Sequence, residues 1–293
     1  MKQPTKAIIC AAGLGTRFLP QTKAMAKEML PIIDKPVIQL VVEELVAAGV
    51  TDIIIVTDYT KRSIEDHFDQ SDELEHKLIE KGKPDKADEI RRISELANFV
   101  YLRQKGTPKG NARPVINAQH LIKDEPFFVF AADDFFTGKI PRAVQMVEAY
   151  NKTNGSPVIC LTEISPKDAD KYGVVAIKND MGDGLLELAG VIEKPGSDKM
   201  PSKYASIMGY LLTPDILPII IEEKVNPSGE LVLVDSINEL CQMKSVYGKV
   251  IDGAYHDSGD PLKYLHTIVE VALESEEYGK DFADFLQERL NIK

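Results

Sequence analysis

Cysteine is scarce, basic residues are outnumbered and long apolar runs are missing from this 293-residue sequence. The three cysteines, Cys10, Cys160 and Cys241, are odd in number, far apart and outside any Cys-x-x-Cys spacing, which argues against a disulfide framework or a structural zinc site. A reducing cytoplasm is the expected location. Lys2 and Lys6 precede only the short run Ala7 to Ala12, and no later stretch approaches the roughly 18 apolar residues of a membrane span. Neither export nor membrane insertion is therefore expected. The 35 basic residues face 46 acidic ones, a net charge of -11, whereas a general nucleic-acid binder draws its affinity from a basic surface. An anionic ligand has to be met instead by a local basic cluster or a metal. Missing too are internal repeats, low-complexity tracts and Ser/Gly linkers, so one continuous domain over 1–293 is expected. What is present, 44% hydrophobic and 28% charged residues, suits a globular chain able to bury roughly three quarters of its unfolded surface.

The apolar run Lys6 to Ala12 reads as a buried strand that ends in the glycine loop Gly13-Leu-Gly-Thr-Arg17. Val37, Leu40, Val41, Leu45 and Ala48 recur at helical spacing before Gly49, and Asp52 to Thr57 follows as a second strand, a β-α-β beginning. About 63–97 is dense in charge and predicts two or three surface helices broken at Gly82-Lys-Pro84, an insertion. Strands resume at Phe99 to Leu102 and Phe127 to Ala131, with helices between them and at Pro141 to Tyr150. After Gly155 the runs Pro157 to Thr162, Gly173 to Ile177, Leu186 to Ile192 and Tyr204 to Leu212 read as strands with few helices between them, a small mixed or antiparallel extension. Helices return at about Val234 to Met243 and, in a C-terminal segment from about 260 to 293, at Pro261 to Glu274 and Asp281 to Leu290. The class is α/β: a mixed, mainly parallel sheet flanked by helices.

Consecutive backbone N–H groups of a glycine loop after a strand can seat an anion. Phe18 stands where a dinucleotide fingerprint needs its third glycine, and the Gly-Lys-Ser/Thr end of a Walker loop is absent. Both common readings fail. Arg17, Lys23, Lys27 and Lys35 nevertheless crowd one segment of an acidic chain, as a phosphate chain would require. On spacing alone, a turn followed by a solvated face explains them equally well.

Ala11-Ala-Gly-Leu-Gly-Thr-Arg-Phe-Leu-Pro20, Thr22-Lys-Ala24, Lys27-Glu-Met-Leu-Pro31 and Asp34-Lys-Pro36 resemble the signature of sugar-phosphate nucleotidylyltransferases, in the form of the UTP-using members. The resemblance continues in order through Ile64 to Asp69, Arg103-Gln104, Tyr172 to Val175, Glu193-Lys-Pro195, Gly229-Glu230 and Asp257-Ser-Gly259. It implies a Rossmann-like, glycosyltransferase-A-like nucleotidyltransferase fold. It also implies transfer of a uridylyl group from UTP to a sugar 1-phosphate, expected to be glucose 1-phosphate, with Mg²⁺ as cofactor and a homodimer or homotetramer as the assembly. Arg17 and Lys27 would hold the triphosphate, and Lys194 the sugar phosphate and α-phosphate. Ala12, Gly13, Gly15, Lys23, Glu28, Gln104 and Gly110 would line the nucleotide side, Gly173 and Glu193 the sugar side, and Asp133 and Asp257 would bind the metal.

Read without the family, the same residues have plainer explanations: a solvated turn for Lys194, a cap or turn for either aspartate, an exposed helix position for Glu28 and a strand end for Gln104. Asp134 is set aside in favour of Asp133 because successive strand residues point to opposite faces. His256, beside Asp257, is read as structural. The chain also departs from the family pattern. Pro108-Lys-Gly-Asn-Ala-Arg-Pro-Val115 keeps only the first glycine of its loop, Ile207-Met-Gly-Tyr210 lacks an arginine, and Ala26 replaces a proline. Two alternatives therefore stand beside the uridylyl reading: a dTTP- or CTP-dependent transferase, and a catalytically weak regulatory homologue.

Overall fold

Strand β1 (Lys6–Ala11) is covered on both faces, which explains its unbroken apolar run: Ala7, Ile9 and Ala11 join one core and Ile8 the other. The computed structural model describes residues 1–222, 225 and 229–290. A two-stranded ribbon, β2 (Pro31–Ile32) and β3 (Lys35–Pro36), leads into helix α1 (Val37–Ala47). That helix buries Val37, Ile38, Val41, Val42 and Leu45 at helical spacing. Gly49, with φ of 89°, turns the chain into β4 (Asp52–Thr57), parallel to β1 with Ile54 opposite Ile8. Three charged helices follow, α2 (Arg62–Phe68), α3 (Asp72–Glu80) and α4 (Pro84–Ser94), before β5 (Asn98–Arg103) closes that edge of the sheet.

The chain then crosses β1 through α5 (Arg113–Ile122) to β6 (Phe127–Ala131), also parallel to β1. Because β1 has β4 on one side and β6 on the other, the sheet reverses its winding there, and a crevice opens at the carboxyl end of β1. The remaining elements are β7 (Asp134–Thr137), α6 (Arg142–Lys152), β8 (Val158–Glu163), β9 (Gly173–Asp180), β10 (Leu185–Glu193) and β11 (Tyr204–Leu212). They continue with α7 (Ile216–Glu222), α8 (Leu233–Met243), β12 (Tyr247–Val250), β13 (Ala254–Asp257), α9 (Pro261–Glu274) and α10 (Gly279–Leu290).

Nine strands form one sheet in the order β5-β4-β1-β6-β11-β8-β12-β10-β9. Pairing is parallel from β5 to β6 and between β8 and β12, and antiparallel where β11 and β10 meet their neighbours. The strands after Gly155 thus extend the sheet through β11. Helices α1 and α6 cover the face carrying Ile9, Phe128 and Phe130; α5, α7 and α8 cover the face carrying Ile8, Phe127 and Val129. Short elements escaped the sequence pattern: α7, β12, and a separate ribbon in which β13 pairs antiparallel with β7, Asp257 opposite Asp134. The last three residues of the expected C-terminal segment lie outside the described residues. Among the described residues no helix is long and apolar enough to cross a membrane, and Cys10, Cys160 and Cys241 are free thiols.

Candidate active site

The loop after β1 sits at the switch point. Gly15 has φ of 64°, and a Cβ there would stand 3.2 Å from both Lys27 Cβ and Thr22 Cγ2, so glycine is required for conformation and for space. Its carbonyl accepts from Thr22 Oγ1 at 2.7 Å. A Cβ on Gly13 would stand 3.5 Å from Lys27 Cε, so the open face of this glycine lies under the Lys27 side chain. Arg17 is exposed and its guanidinium donates to the Gly259 carbonyl at 3.2 Å, which ties the loop to the far end of the chain. Lys23 is exposed, and Ala12 is half-buried beside the loop.

Lys27 stands in a short 3₁₀ turn and its ammonium pairs with Asp133 Oδ2. Burial lowers the Lys27 pKa, but Asp133, Glu28 and Asp257 outweigh it and leave it raised. Asp133 and Asp134 diverge as strand geometry requires. Asp134 turns into the core, 2.8 Å from the Arg142 guanidinium, and burial, opposed by Arg142, pushes its pKa up to about 7. Fully buried Arg142 also bonds Glu44 at 2.6 Å and the Asp134 carbonyl at 3.0 Å, while Glu44 accepts from the Phe136 N–H at 2.8 Å. This network fixes the bend between β6 and β7 from which Asp133 projects.

The β7–β13 ribbon brings Asp257 to the same place. Ser258 N donates to the Asp133 carbonyl at 2.9 Å, and Gly259 N donates to Asp257 Oδ1 at 2.9 Å. A Cβ on Gly259 would stand 2.8 Å from Asp133 Oδ2 and 3.2 Å from Asp257 Oδ1, so both carboxylates border a space that only glycine leaves open. Ser258 Oγ, buried between these residues in sequence, has no hydrogen-bond partner among the described residues. The two carboxylates form a hard-oxygen pair that fits a divalent cation such as Mg²⁺, whose other positions go to phosphate oxygens and water. In the protein alone each carboxylate carries a lysine: Lys27 on Asp133, and Lys263 on Asp257 Oδ2 at 2.7 Å.

Across the cleft, Gly173 and Glu193 are direct cross-strand partners. A Cβ on Gly173 would stand 2.9 Å from Val191 Cγ1 and 3.1 Å from Glu193 Oε2, so the missing side chain makes room for both neighbours. Lys194 follows with φ of 46°, a left-handed conformation held by its N–H donating to the Tyr172 carbonyl at 3.1 Å. Its ammonium is exposed, 3.7 Å from Glu193. Gln104 directly follows β5, its N–H donating to the Thr57 carbonyl at 2.9 Å, and the residue is half-buried. Gly110 is engaged elsewhere. A Cβ there would collide with the Leu231 carbonyl at 2.0 Å, and the loop is laced to that segment by Leu231 N to Lys109 O at 2.8 Å and Leu233 N to Asn111 Oδ1 at 2.8 Å.

Glu28 is neither an exposed helix residue nor an open contact. It is 1% exposed, and its two carboxylate oxygens accept from Lys61 Nζ at 2.7 and 2.9 Å. Burial moves Glu28 up and Lys61 down in pKa, each opposed by the other's charge. Lys61 also donates to the Ala11 carbonyl at 2.7 Å. Neither Lys61 nor Lys263 was visible in the sequence, since a lysine in a polar turn or an early helical turn carries no pattern. His256 is packing: it stacks on Phe135 with centroids 4.9 Å apart, shares a 2.9 Å hydrogen bond with Thr137, and is held below its usual pKa by burial. A cavity of about 560 Å³ lined by Ile33, Leu40, Glu44, Phe136 and Val271 takes from the basic segment only Lys35, which pairs with Glu43 at 2.9 Å apart from the other cations, so convergence of charge, not cavity size, marks the site.

A glycine loop at the switch point of an α/β sheet, a cluster of cations and two apposed carboxylates define an enzyme that handles nucleotide phosphates. Residues 6–273 match the nucleotidyl transferase family, and the chain belongs to it. It is 41% identical over 291 residues to the UTP–glucose-1-phosphate uridylyltransferase of Bacillus subtilis (strain 168), with 99% of each chain covered. Among solved structures it is similar to a UDP-glucose pyrophosphorylase complexed with UDP-glucose, with TM-score 0.83, 35% identity and 93% of this chain and 100% of that one covered. It is likewise similar to a UTP-bound UGPase from Acinetobacter baumannii, with TM-score 0.89, 30% identity and coverage of 99% and 100%.

Proposed function

We propose that the protein transfers a uridylyl group from UTP to glucose 1-phosphate, giving UDP-glucose and pyrophosphate. The observation that carries this reading is the pair of lysine-neutralised carboxylates, Asp133 and Asp257, facing each other beside the glycine loop. A phosphate oxygen of the sugar 1-phosphate attacks the α-phosphorus; the new P–O bond forms as the bond to the β-phosphate oxygen breaks and its electrons leave with pyrophosphate. The nucleophile is already ionised near neutral pH, so alignment and charge neutralisation replace a general base.

The roles divide by position. Arg17 and Lys27, with the backbone of Gly13 and Gly15, hold the triphosphate and the departing pyrophosphate, with Lys23 at the rim. Ala12 and Gly13 wall a pyrimidine-sized slot, and Gln104 can donate to and accept from the uracil edge. Glu28 acts from beneath, through Lys61 and the Ala11 carbonyl, and Gly110 through the loop it closes against Leu231. Lys194 meets the sugar phosphate, Glu193 the sugar hydroxyls, and Gly173 provides their space. Asp133 and Asp257 would hold Mg²⁺, which when bound neutralises phosphate charge and favours departure of pyrophosphate. Three free thiols and a nucleotide substrate suit a cytoplasmic enzyme. Exposed Leu262, Leu265, Val269 and Leu273 along α9 suit a homodimer or homotetramer.

Pyrophosphate release from the purified protein with Mg²⁺, each nucleoside triphosphate and each common sugar 1-phosphate tests the reading. UTP with glucose 1-phosphate should give the highest kcat/KM. dTTP should work less well, because one methyl and one lost hydroxyl contact cost ~1–3 kcal/mol, and ATP and GTP should be inert. A kcat/KM for dTTP equal to that for UTP would replace the uridylyl assignment with a thymidylyl one.

A further inference from the structure

Lys263 has no part in the reaction as laid out above, yet it stands inside the cleft. It lies in the first turn of α9, where the Asp260 carboxylate accepts from the N–H of Leu262 at 3.0 Å and of Lys263 at 3.2 Å and so fixes its backbone. Its ammonium donates to Asp257 Oδ2 at 2.7 Å and to the Tyr172 hydroxyl, and lies 5.1 Å from the centre of the Tyr172 ring. An ammonium has three donors, so one remains. The side chain is 35% exposed, enough for a ligand to reach it.

Tyr172 belongs to the sugar side. Its carbonyl holds the backbone of Lys194, and the next residue, Gly173, makes room for Glu193. Lys263 therefore joins a candidate metal carboxylate to the sugar-facing segment, as Lys27 joins the other carboxylate to the glycine loop. The two halves of the cleft carry the same device. If the carboxylates turn to a divalent cation, both ammonium groups lose their carboxylate partners, Lys263 keeping only the Tyr172 hydroxyl, and the anions arriving with the cation are phosphates. A lysine left without a counter-charge at 35% exposure would bind one of them strongly, because hydrogen bonds between charged groups are among the stronger ones.

We propose that Lys263 is a phosphate-binding residue for the sugar 1-phosphate, exchanging Asp257 for the acceptor's phosphate when the site is loaded. The proposal rests on the reaction given above and adds a residue to it. Steady-state kinetics of the full-length wild type, Lys263→Met and Lys263→Arg test it, together with Mn²⁺ binding to each free protein measured by electron paramagnetic resonance without substrates. Lys263→Met should raise KM for glucose 1-phosphate ~10-fold or more, leave KM for UTP within about twofold, and be largely rescued by Lys263→Arg. Mn²⁺ should bind the Met variant at least as tightly as wild type, since a competitor for Asp257 is gone. A lysine that merely braces Asp257 predicts the reverse, weakened Mn²⁺ binding with an unchanged acceptor KM, and that result overturns the proposal. So does a rise confined to KM for UTP. Failure of the reaction itself would appear separately, as a wild type inactive toward glucose 1-phosphate; the comparison is then made with the sugar 1-phosphate that the wild type accepts.

Discussion

Lys61 is 4% exposed and has three acceptors, two oxygens of Glu28 and the carbonyl of Ala11, so its charge is consumed inside the protein at the end of β1. Replacing it with methionine leaves the Glu28 carboxylate buried without its cation, and breaking such a pair from one side costs ~3–5 kcal/mol. Lys61→Met should lose about that much stability in urea unfolding, and Lys61→Met/Glu28→Leu should regain most of it. A double variant as unstable as the single would show that the fold needs the charges themselves. At this scale the sequence revealed charge density and little else. Arg17, Lys23, Lys27 and Lys35 crowd one segment of an acidic chain, whereas Lys194 is marked only by the resemblance, and the partner that sequesters Glu28 sits in Asp58-Tyr-Thr-Lys61, which shows no pattern.

Elements with long apolar runs were legible almost to the residue: β4 and β11 occupy Asp52–Thr57 and Tyr204–Leu212, and α9 Pro261–Glu274, as the patterns indicate. The β7–β13 ribbon was not, because four-residue strands have too few side chains to show a period. That ribbon places Asp257 against Asp133, so pairing of these two carboxylates could come from resemblance but not from spacing. The outer strands hold a pH-sensitive tie. Glu187 on β10 accepts from Asn179 at 2.6 Å, from Lys178 at 3.0 Å and from Ser245 at 2.9 Å, linking β9, β10 and the approach to β12. These bonds hold its pKa down from 4.5 to about 2. A depressed carboxylate contributes stability above its unfolded pKa and loses it as pH falls through the folded one, so this contribution fades from pH 4.5 toward about 2. Thermal melting should therefore show Glu187→Gln below wild type near neutral pH, with the gap narrowing as the pH is lowered toward about 3. A gap that widens on acidification would contradict this sign.

The cleft exists only when distant parts of the chain meet: Arg17 bonds the carbonyl of a residue 242 positions away, and Lys27 pairs with a residue 106 positions away. A ligand that spans these segments binds the folded protein and not the unfolded chain, so it stabilises the whole molecule by mass action. At a ligand concentration of 100 Kd the gain is ~2.7 kcal/mol, about 5 °C in Tm for a chain of this size. UTP with Mg²⁺ at saturating concentration should produce a shift of that order. On the proposed roles, ATP at the same concentration would present the same phosphates to Arg17 and Lys27 but a purine too large for the slot proposed between Ala12 and Gly13, so its shift should be smaller. Asp133→Asn and Asp257→Asn each remove an anionic ligand proposed for the cation. They should abolish the part of the UTP shift that depends on Mg²⁺ and keep the part that does not, because the cations proposed to bind phosphate remain. Differential scanning fluorimetry with and without EDTA separates the two parts. Equal shifts for UTP and ATP would mean that the cleft holds phosphates without reading the base. A Mg²⁺-dependent shift surviving in both aspartate variants would move the cation elsewhere in the molecule.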